Sequence, residues 1–209
     1  MSELIEKKIV DYINDVDSTL PAPGGGSVAA LAGALGVALS KMAAHLSFEK
    51  KKFKEAPKTR QNKFILAFKE LEYYKDLLIK GVDDDAISYQ AVIDAFKSKD
   101  ENQIQGALLA SAMTAYEMQE ASIKALYYVD KLIDLSNKYL YSDLISGAIL
   151  LASCNEMASL NVKANANMLK DEKLKKFYLE KSAEFVKKSK SQKNKIINKI
   201  SKKELWFSS

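Results

Sequence analysis

No charged residue occurs between Ala22 and Ser40, in a chain where 28% of residues are charged. That run constrains the fold more than any other segment. It follows Pro21-Ala22-Pro23-Gly24-Gly25-Gly26 and continues mainly as Ala, Gly and Leu. It approaches the length of a membrane span, yet it lacks the density of Ile, Val and Phe that drives insertion. The expectation is a buried helix over Ser27 to Ser47 and no membrane crossing. Gly33 and Gly36, with Ala29, Ala30, Ala32, Ala34 and Ala38, leave so little side-chain bulk that a neighbouring backbone can come close. Such a helix suits the centre of a bundle or a subunit interface.

The remaining segments carry helical periodicity. Leu4, Ile5, Ile9, Tyr12, Ile13 and Val16 recur at three and four residues, and Phe64, Phe68, Leu71 and Leu78 mark a second stripe after Pro57. Gly81 and Asp83-Asp84-Asp85 are expected to interrupt that stripe before it resumes through Tyr89, Val92 and Phe96. Further helices are expected over Glu101 to Leu135, Ser142 to Leu169, and from an Asp171 cap onward. No segment alternates with the two-residue period of a strand. The expectation is an all-α bundle of about six long helices, in one domain over residues 1–209.

Composition narrows the chemistry. With 1 Cys and 1 His, Cys154 and His45, a disulfide scaffold, a zinc site and a Cys-His nucleophile pair are all disfavoured, and no metal is expected. A single Cys fits a reducing cytoplasm. The net charge is +5, but residues 170–209 hold 13 Lys against 5 acidic residues, so the rest of the chain is net negative. A solvated lysine-rich helix face accounts for this. A polyanion-docking surface is the rival reading, a non-enzymatic helical protein binding nucleic acid through its C-terminus. That rival leaves three consecutive glycines ahead of a helix unexplained, and no nucleic-acid or membrane partner is expected.

Four constellations could carry chemistry. Pro23-Gly24-Gly25-Gly26-Ser27 opens a helix, where unpaired N–H groups and the dipole favour an anionic or electron-rich ligand group. Three glycines permit positive φ and close backbone approach. The bland alternative is a tight turn with Ser27 as N-cap. Asp83-Asp84-Asp85 crowds three carboxylates, and Asp85 shares a helix face with Tyr89. One such carboxyl could exchange protons with an amine or imine nitrogen, or the acids could simply favour a helix start. Ser142-Asp143 begins a later helix after Asn137, and Asn161 and Asn165 share one of its faces, offering donors and acceptors to a heterocycle edge. Lys50-Lys51-Lys52 could grip carboxylates as point charges.

Taken in order, these motifs resemble the formimidoyltetrahydrofolate cyclodeaminase / methenyltetrahydrofolate cyclohydrolase family. Pro21-Ala22-Pro23-Gly24-Gly25-Gly26-Ser27 with Ala30-Leu31-Ala32-Gly33-Ala34-Leu35-Gly36 is similar to its opening motif. Met42 to Phe53, Asp83 to Tyr89, Asn137 with Ser142-Asp143, and Asn161-Val162-Lys163-Ala164-Asn165 with Leu169-Lys170-Asp171 are similar to its later ones. Departures are Gly81 where Leu is usual, Ser47 where Thr is usual, and Lys138-Tyr139-Leu140-Tyr141 in place of smaller residues. The resemblance implies an all-α protomer forming dimers or larger assemblies, with a folate site near the subunit interface.

It also implies the chemistry. In the cyclodeaminase, N10 of the folate attacks the formimino carbon on N5, ammonia leaves, and 5,10-methenyltetrahydrofolate forms. In the cyclohydrolase, water adds to the methenyl carbon and the ring opens. Either needs a proton carrier, for which Asp85 is the first candidate and Asp83 its backup or tuner. The Gly24–Ser27 loop, Ser142, Asp143, Asn161 and Asn165 are candidate substrate contacts. Lys50, Lys51 and Lys52 would suit the glutamate tail of a tetrahydrofolate, polyglutamylated or not. No cofactor beyond the tetrahydrofolate substrate is expected.

Overall fold

The computed structural model describes residues 4–203. A 3-10 turn at Leu4–Glu6 and α1 (Ile9–Val16) precede α2 (Gly25–Phe48). The single-turn α3 (Lys51–Lys54) leads into α4 (Lys58–Ser98) and α5 (Glu101–Leu132). A second 3-10 turn (Lys138–Leu140) then opens α6 (Tyr141–Ala166), and α7 (Glu172–Ser201) follows. No strand occurs among the described residues. The all-α expectation holds, with five long helices and two short ones rather than about six long ones.

α2, which carries the charge-free run, lies at the centre. Ala29, Ala30, Val37, Ala43 and Ala44 are buried within it. It packs antiparallel to α6, and the glycines decide how closely. A Cβ on Gly36 would sit 2.7 Å from the Gly147 carbonyl oxygen, and one on Gly147 would sit 2.6 Å from that of Gly36. Backbone therefore meets backbone at this crossing, and no larger residue fits. Three residues toward the α2 N-terminus, Gly33 makes room in the same way for the buried Cys154 side chain.

Gly81 does not interrupt α4, which runs unbroken through Asp83-Asp84-Asp85 for 41 residues. Gly81 is buried instead, and a Cβ there would press on Ala30 and Met118 at 3.3 and 3.4 Å. Helix propensity lost at the glycine is offset by close packing of α4 on α2 and α5. The three carboxylates disperse around the helix: Asp83 accepts the Leu4 N–H, Asp84 pairs with Lys80 at 3.0 Å, and Asp85 points at α2. Asp100 and Asp171 cap α5 and α7, each accepting two backbone N–H groups from the first turn.

The lysine-rich α7 lays Tyr178, Ile196 and Ile200 into the core. Lysines of this helix and of the turn after it meet acids of the negatively charged body. Lys195 and Lys199 reach Asp130 at 3.1 and 3.2 Å, Lys190 reaches Glu156, and Lys203 reaches Asp134. Burial pushes the Asp130 carboxyl pKa up, but the hydrogen bonds and charges of Lys195 and Lys199 outweigh it and hold the group below the usual carboxylate range. The uneven charge of the sequence is thus partly resolved inside the fold.

Candidate functional site

Four helices bring polar side chains to the start of α2. Gly24 is the N-cap, so Ser27 is the third residue of the helix rather than its cap. The cap function comes from elsewhere. Asp85, in mid-α4, accepts the Ser27 N–H at 2.9 Å and the Ser27 hydroxyl at 3.2 Å on Oδ2, and the Asn161 amide at 3.3 Å on Oδ1. A carboxylate from a different helix thus satisfies one of the orphan donors at the positive end of α2.

Gly26 makes that approach possible. A Cβ there would lie 1.9 Å from Asp85 Oδ1 and 2.3 Å from Asn161 Nδ2. Gly24 and Gly25 differ: a Cβ on either meets nothing within 4 Å. No glycine among the described residues has positive φ, so the motif supplies space rather than unusual backbone geometry. Pro23 is buried, and the Ala22–Pro23 peptide is cis.

The open side of Gly24 and Gly25 faces a cavity of about 310 Å³. It is walled by the Pro21–Gly26 loop, Asp85 and Tyr89 of α4, Ser111 of α5, and Asn161 and Asn165 of α6. Asn165 donates to Ser111 Oγ and to the Asn161 carbonyl, both at 3.0 Å. The two asparagine Nδ2 groups are therefore committed to the protein, while neither Oδ1 accepts a hydrogen bond among the described residues. Two carbonyl-type acceptors and one carboxylate are left for a ligand rich in N–H groups. Ser111 is a residue the sequence reading missed. Its signal was a lone hydroxyl on the buried Leu108-Ala112-Ala115 stripe.

Among the described residues Asp85 has no cationic partner, and the groups that donate hydrogen bonds to it are neutral. Burial pushes its carboxyl above the usual aspartate value, against the opposing hydrogen bonds from Ser27 and Asn161. A carboxyl whose proton affinity is raised in this way is suited both to release and to take up a proton. Asp83 does not line the cavity.

The remaining candidates lie elsewhere. Lys50, Lys51, Lys52, Ser142 and Asp143 gather at the opposite end of α2, which at its 24 residues is about 36 Å long. There Lys52 donates to the Ser136 carbonyl at 2.9 Å and to the Tyr141 hydroxyl at 3.3 Å, and Lys51 faces Glu55 at 3.7 Å. Asn137 donates its N–H to Ser47 Oγ at 2.9 Å. Ser142 is exposed and Asp143 half-buried in the first turn of α6. Within one protomer the structure brings Gly24–Ser27, Asp85, Asn161 and Asn165 together and holds this second group apart from them. No cluster of three or more His, Cys, Asp and Glu side chains suited to a metal occurs among the described residues.

Comparison with known proteins gives this geometry a context. The chain is 28% identical over 181 residues to formimidoyltransferase-cyclodeaminase of Gallus gallus, covering 82% of this chain and 33% of that protein. It therefore spans about a third of the length of that relative. It is 29% identical over 174 residues to methenyltetrahydrofolate cyclohydrolase of Methylorubrum extorquens, covering 78% of this chain and 81% of that one. A crystal structure of formiminotetrahydrofolate cyclodeaminase from Thermotoga maritima superposes with a TM-score of 0.83 at 23% identity, covering 96% of both chains, which shows the shared fold. Residues 8–184 match the family model described as formiminotransferase-cyclodeaminase. The chain belongs to the formiminotransferase-cyclodeaminase family.

Proposed function

We propose that the chain is a folate one-carbon enzyme, a formimidoyltetrahydrofolate cyclodeaminase that converts 5-formiminotetrahydrofolate to 5,10-methenyltetrahydrofolate and ammonia. The observation that carries the reading is Asp85: a carboxylate without a counter-cation, held by neutral donors at the wall of a cavity. When N10 attacks the formimino carbon, the new C–N10 bond forms and N10–H must lose its proton. With the formimino group reacting in its protonated amidinium form, Asp85 takes the N10 proton and returns it to the formimino nitrogen, whose bond to carbon then breaks as ammonia leaves and the positive charge stays on the methenyl bridge. The free Oδ1 atoms of Asn161 and Asn165 suit the N–H edge of a pterin, and Tyr89 offers a ring face beside it. Holding both nitrogens of one molecule in reacting geometry supplies much of the rate.

The second reading is methenyltetrahydrofolate cyclohydrolase, favoured by a relative of that name matched over most of its length. The same carboxylate then takes a proton from the water that adds to the methenyl carbon and gives it to N5 as the C–N5 bond breaks, the remaining hydroxyl proton leaving to solvent as the formyl group forms.

The working form we propose is a homodimer in the cytoplasm, with the substrate as the only small molecule required. Leu35, Met42 and Leu46 are exposed on α2, with Leu31 half-buried on the same helix and Ala38 exposed between them. Their three- and four-residue spacing makes one unpartnered apolar seam. Antiparallel pairing of two α2 seams about a two-fold axis covers it. It also carries the partner's lysine-bearing end toward the Gly24–Gly26 loop, where a glutamate tail leaves the cavity.

Purified protein supplied with 5-formiminotetrahydrofolate, and separately with methenyltetrahydrofolate, tests the proposal by methenyl absorbance and ammonia release. Ammonia-linked methenyl formation supports the first reading, and loss of methenyl absorbance without ammonia supports the second. Folded dimer inert toward both overturns the proposal.

A further inference from the structure

Ser111 breaks a pattern among the buried helical hydroxyls. Those of Ser40, Ser47, Ser122 and Ser159 donate to carbonyls three or four residues back on their own helices. The Ser111 hydroxyl makes no such bond among the described residues. The residue is 7% exposed, and what remains open faces the cavity that Asp85 lines. Its neighbours decide where its proton goes. The Asn161 carbonyl can only accept, so the Asn165 amide 3.0 Å away must turn Nδ2 toward it. The second hydrogen of that Nδ2 goes to Ser111 Oγ at 3.0 Å, which makes Ser111 the acceptor of the pair. Ser88 gives its own proton to the Asp85 carbonyl at 2.9 Å. Its Oγ stands 3.4 Å from Ser111, outside the usual O–H···O range of about 2.5–3.0 Å. The Ser111 proton is thus left for the cavity.

We propose that Ser111 makes the cavity specific for a 2-amino-4-oxo pteridine ring, its O–H donating to the C4 carbonyl oxygen while the Oδ1 atoms of Asn161 and Asn165 accept from N3–H and the 2-amino group. The inference rests on the folate reading of the site and adds the residue that selects the ring. One amide sets both polarities: Asn165 spends its Nδ2 on the protein, which frees its own Oδ1 and turns the Ser111 proton outward. The C4 carbonyl lies beside N5 in such a ring. A hydroxyl that fixes it therefore also fixes where the carbon on N5 stands relative to Asp85. Asn161 ties the two ends together, donating to Asp85 Oδ1 at 3.3 Å and accepting from Asn165 on its carbonyl. A 4-amino ring would present a donor to Ser111 and an N3 without hydrogen to an asparagine oxygen, two mismatches among buried groups.

The test compares two ligands by isothermal titration calorimetry: 5-formyltetrahydrofolate and its 4-amino counterpart. Wild type is expected to bind the 4-oxo ligand at least about tenfold more tightly. Ser111→Ala is expected to weaken the 4-oxo ligand by about tenfold, the size of one neutral hydrogen bond, and to change the 4-amino ligand by less than about twofold. Ser111→Cys, close in shape but a weak donor, is expected to narrow the preference in the same direction. If Ser111 only holds Asn165 in place, both ligands weaken equally in the variants, and that result overturns the proposal. Wild type without a preference for the 4-oxo ligand also overturns it, with no variant needing to fold. The folate reading survives either of those results, since both ligands still bind. Wild type that binds neither ligand overturns the folate reading and this proposal with it.

Discussion

The Ser27 amide donates to Asp85 Oδ2 at 2.9 Å across 58 positions of sequence, so one carboxylate both caps α2 and faces the cavity. The two roles compete electrically. The helix end and the hydrogen bonds favour the charged carboxylate, and burial favours the neutral one; burial prevails.

Replacing Asp85 by Asn keeps an acceptor for the Ser27 N–H and removes the proton exchange. Turnover is expected to fall by about 10²–10⁴-fold, the usual contribution of a general acid–base group. Far-UV circular dichroism should be unchanged. Wild-type kcat in this variant would remove Asp85 from the chemistry.

Stability should also report the raised pKa. The folded state binds the Asp85 proton more tightly than the unfolded chain, whose aspartate titrates near 3.8. The stability this group contributes is therefore fully present below that value and is lost as pH rises through the folded pKa. Thermal melts of Asp85→Asn are expected to lie above wild type at pH 7. The gap should close as the pH is lowered through the folded pKa. A gap that widens toward acid would reverse the assignment of direction.

The glycines separate packing from binding. Gly26→Ala drives a methyl into Asp85 and Asn161, and is expected to cost at least about 100-fold in kcat/KM together with a loss of 1–3 kcal/mol, about what overpacking costs. Gly25→Ala meets nothing in the fold and should leave the melting temperature unchanged or higher, while its methyl enters the cavity and raises KM. Equal effects of the two substitutions would show that neither space is specific.

The fold was largely legible in the sequence because helical periodicity and the charge-free run are local signals. Gly81 misled for a physical reason: a glycine followed by three acids looks like a break until Ala30 and Met118 are seen packed against it. The site was half legible. Asp85, Gly26 and Asn161 carry spacing cues, but Ser111 is brought to the cavity by tertiary register that periodicity does not encode. Lys50–Lys52 and Ser142-Asp143 illustrate the opposite limit, since motif order says nothing about which end of a long helix a motif occupies.

That far end gives a further expectation. Lys52→Ala deletes the donor to the Ser136 carbonyl and should lower stability by about 1 kcal/mol in chemical denaturation. Lys50→Ala should leave stability unchanged and raise KM for a polyglutamylated folate more than for the monoglutamate. Equal KM values across tail lengths would detach the lysines from the substrate.

The apolar seam can be broken without touching the cavity. Leu35→Asp with Leu46→Lys places charges on residues that are both 52% exposed, so the protomer should fold normally. Light scattering is expected to show monomer in place of dimer, with turnover reduced in parallel. A monomeric variant of full activity would show that each protomer works alone.

The contact of Gly36 with Gly147 has a consequence at the other end of the same two helices. With no side chain between them at this crossing, α2 and α6 are clamped backbone to backbone, and that clamp acts as a gauge. It fixes how far the Gly24–Gly26 loop stands from Asn161 and Asn165, and so the breadth of molecule the cleft can admit. A single methyl at either glycine would force the pair apart and recalibrate the opening without altering any group that lines it.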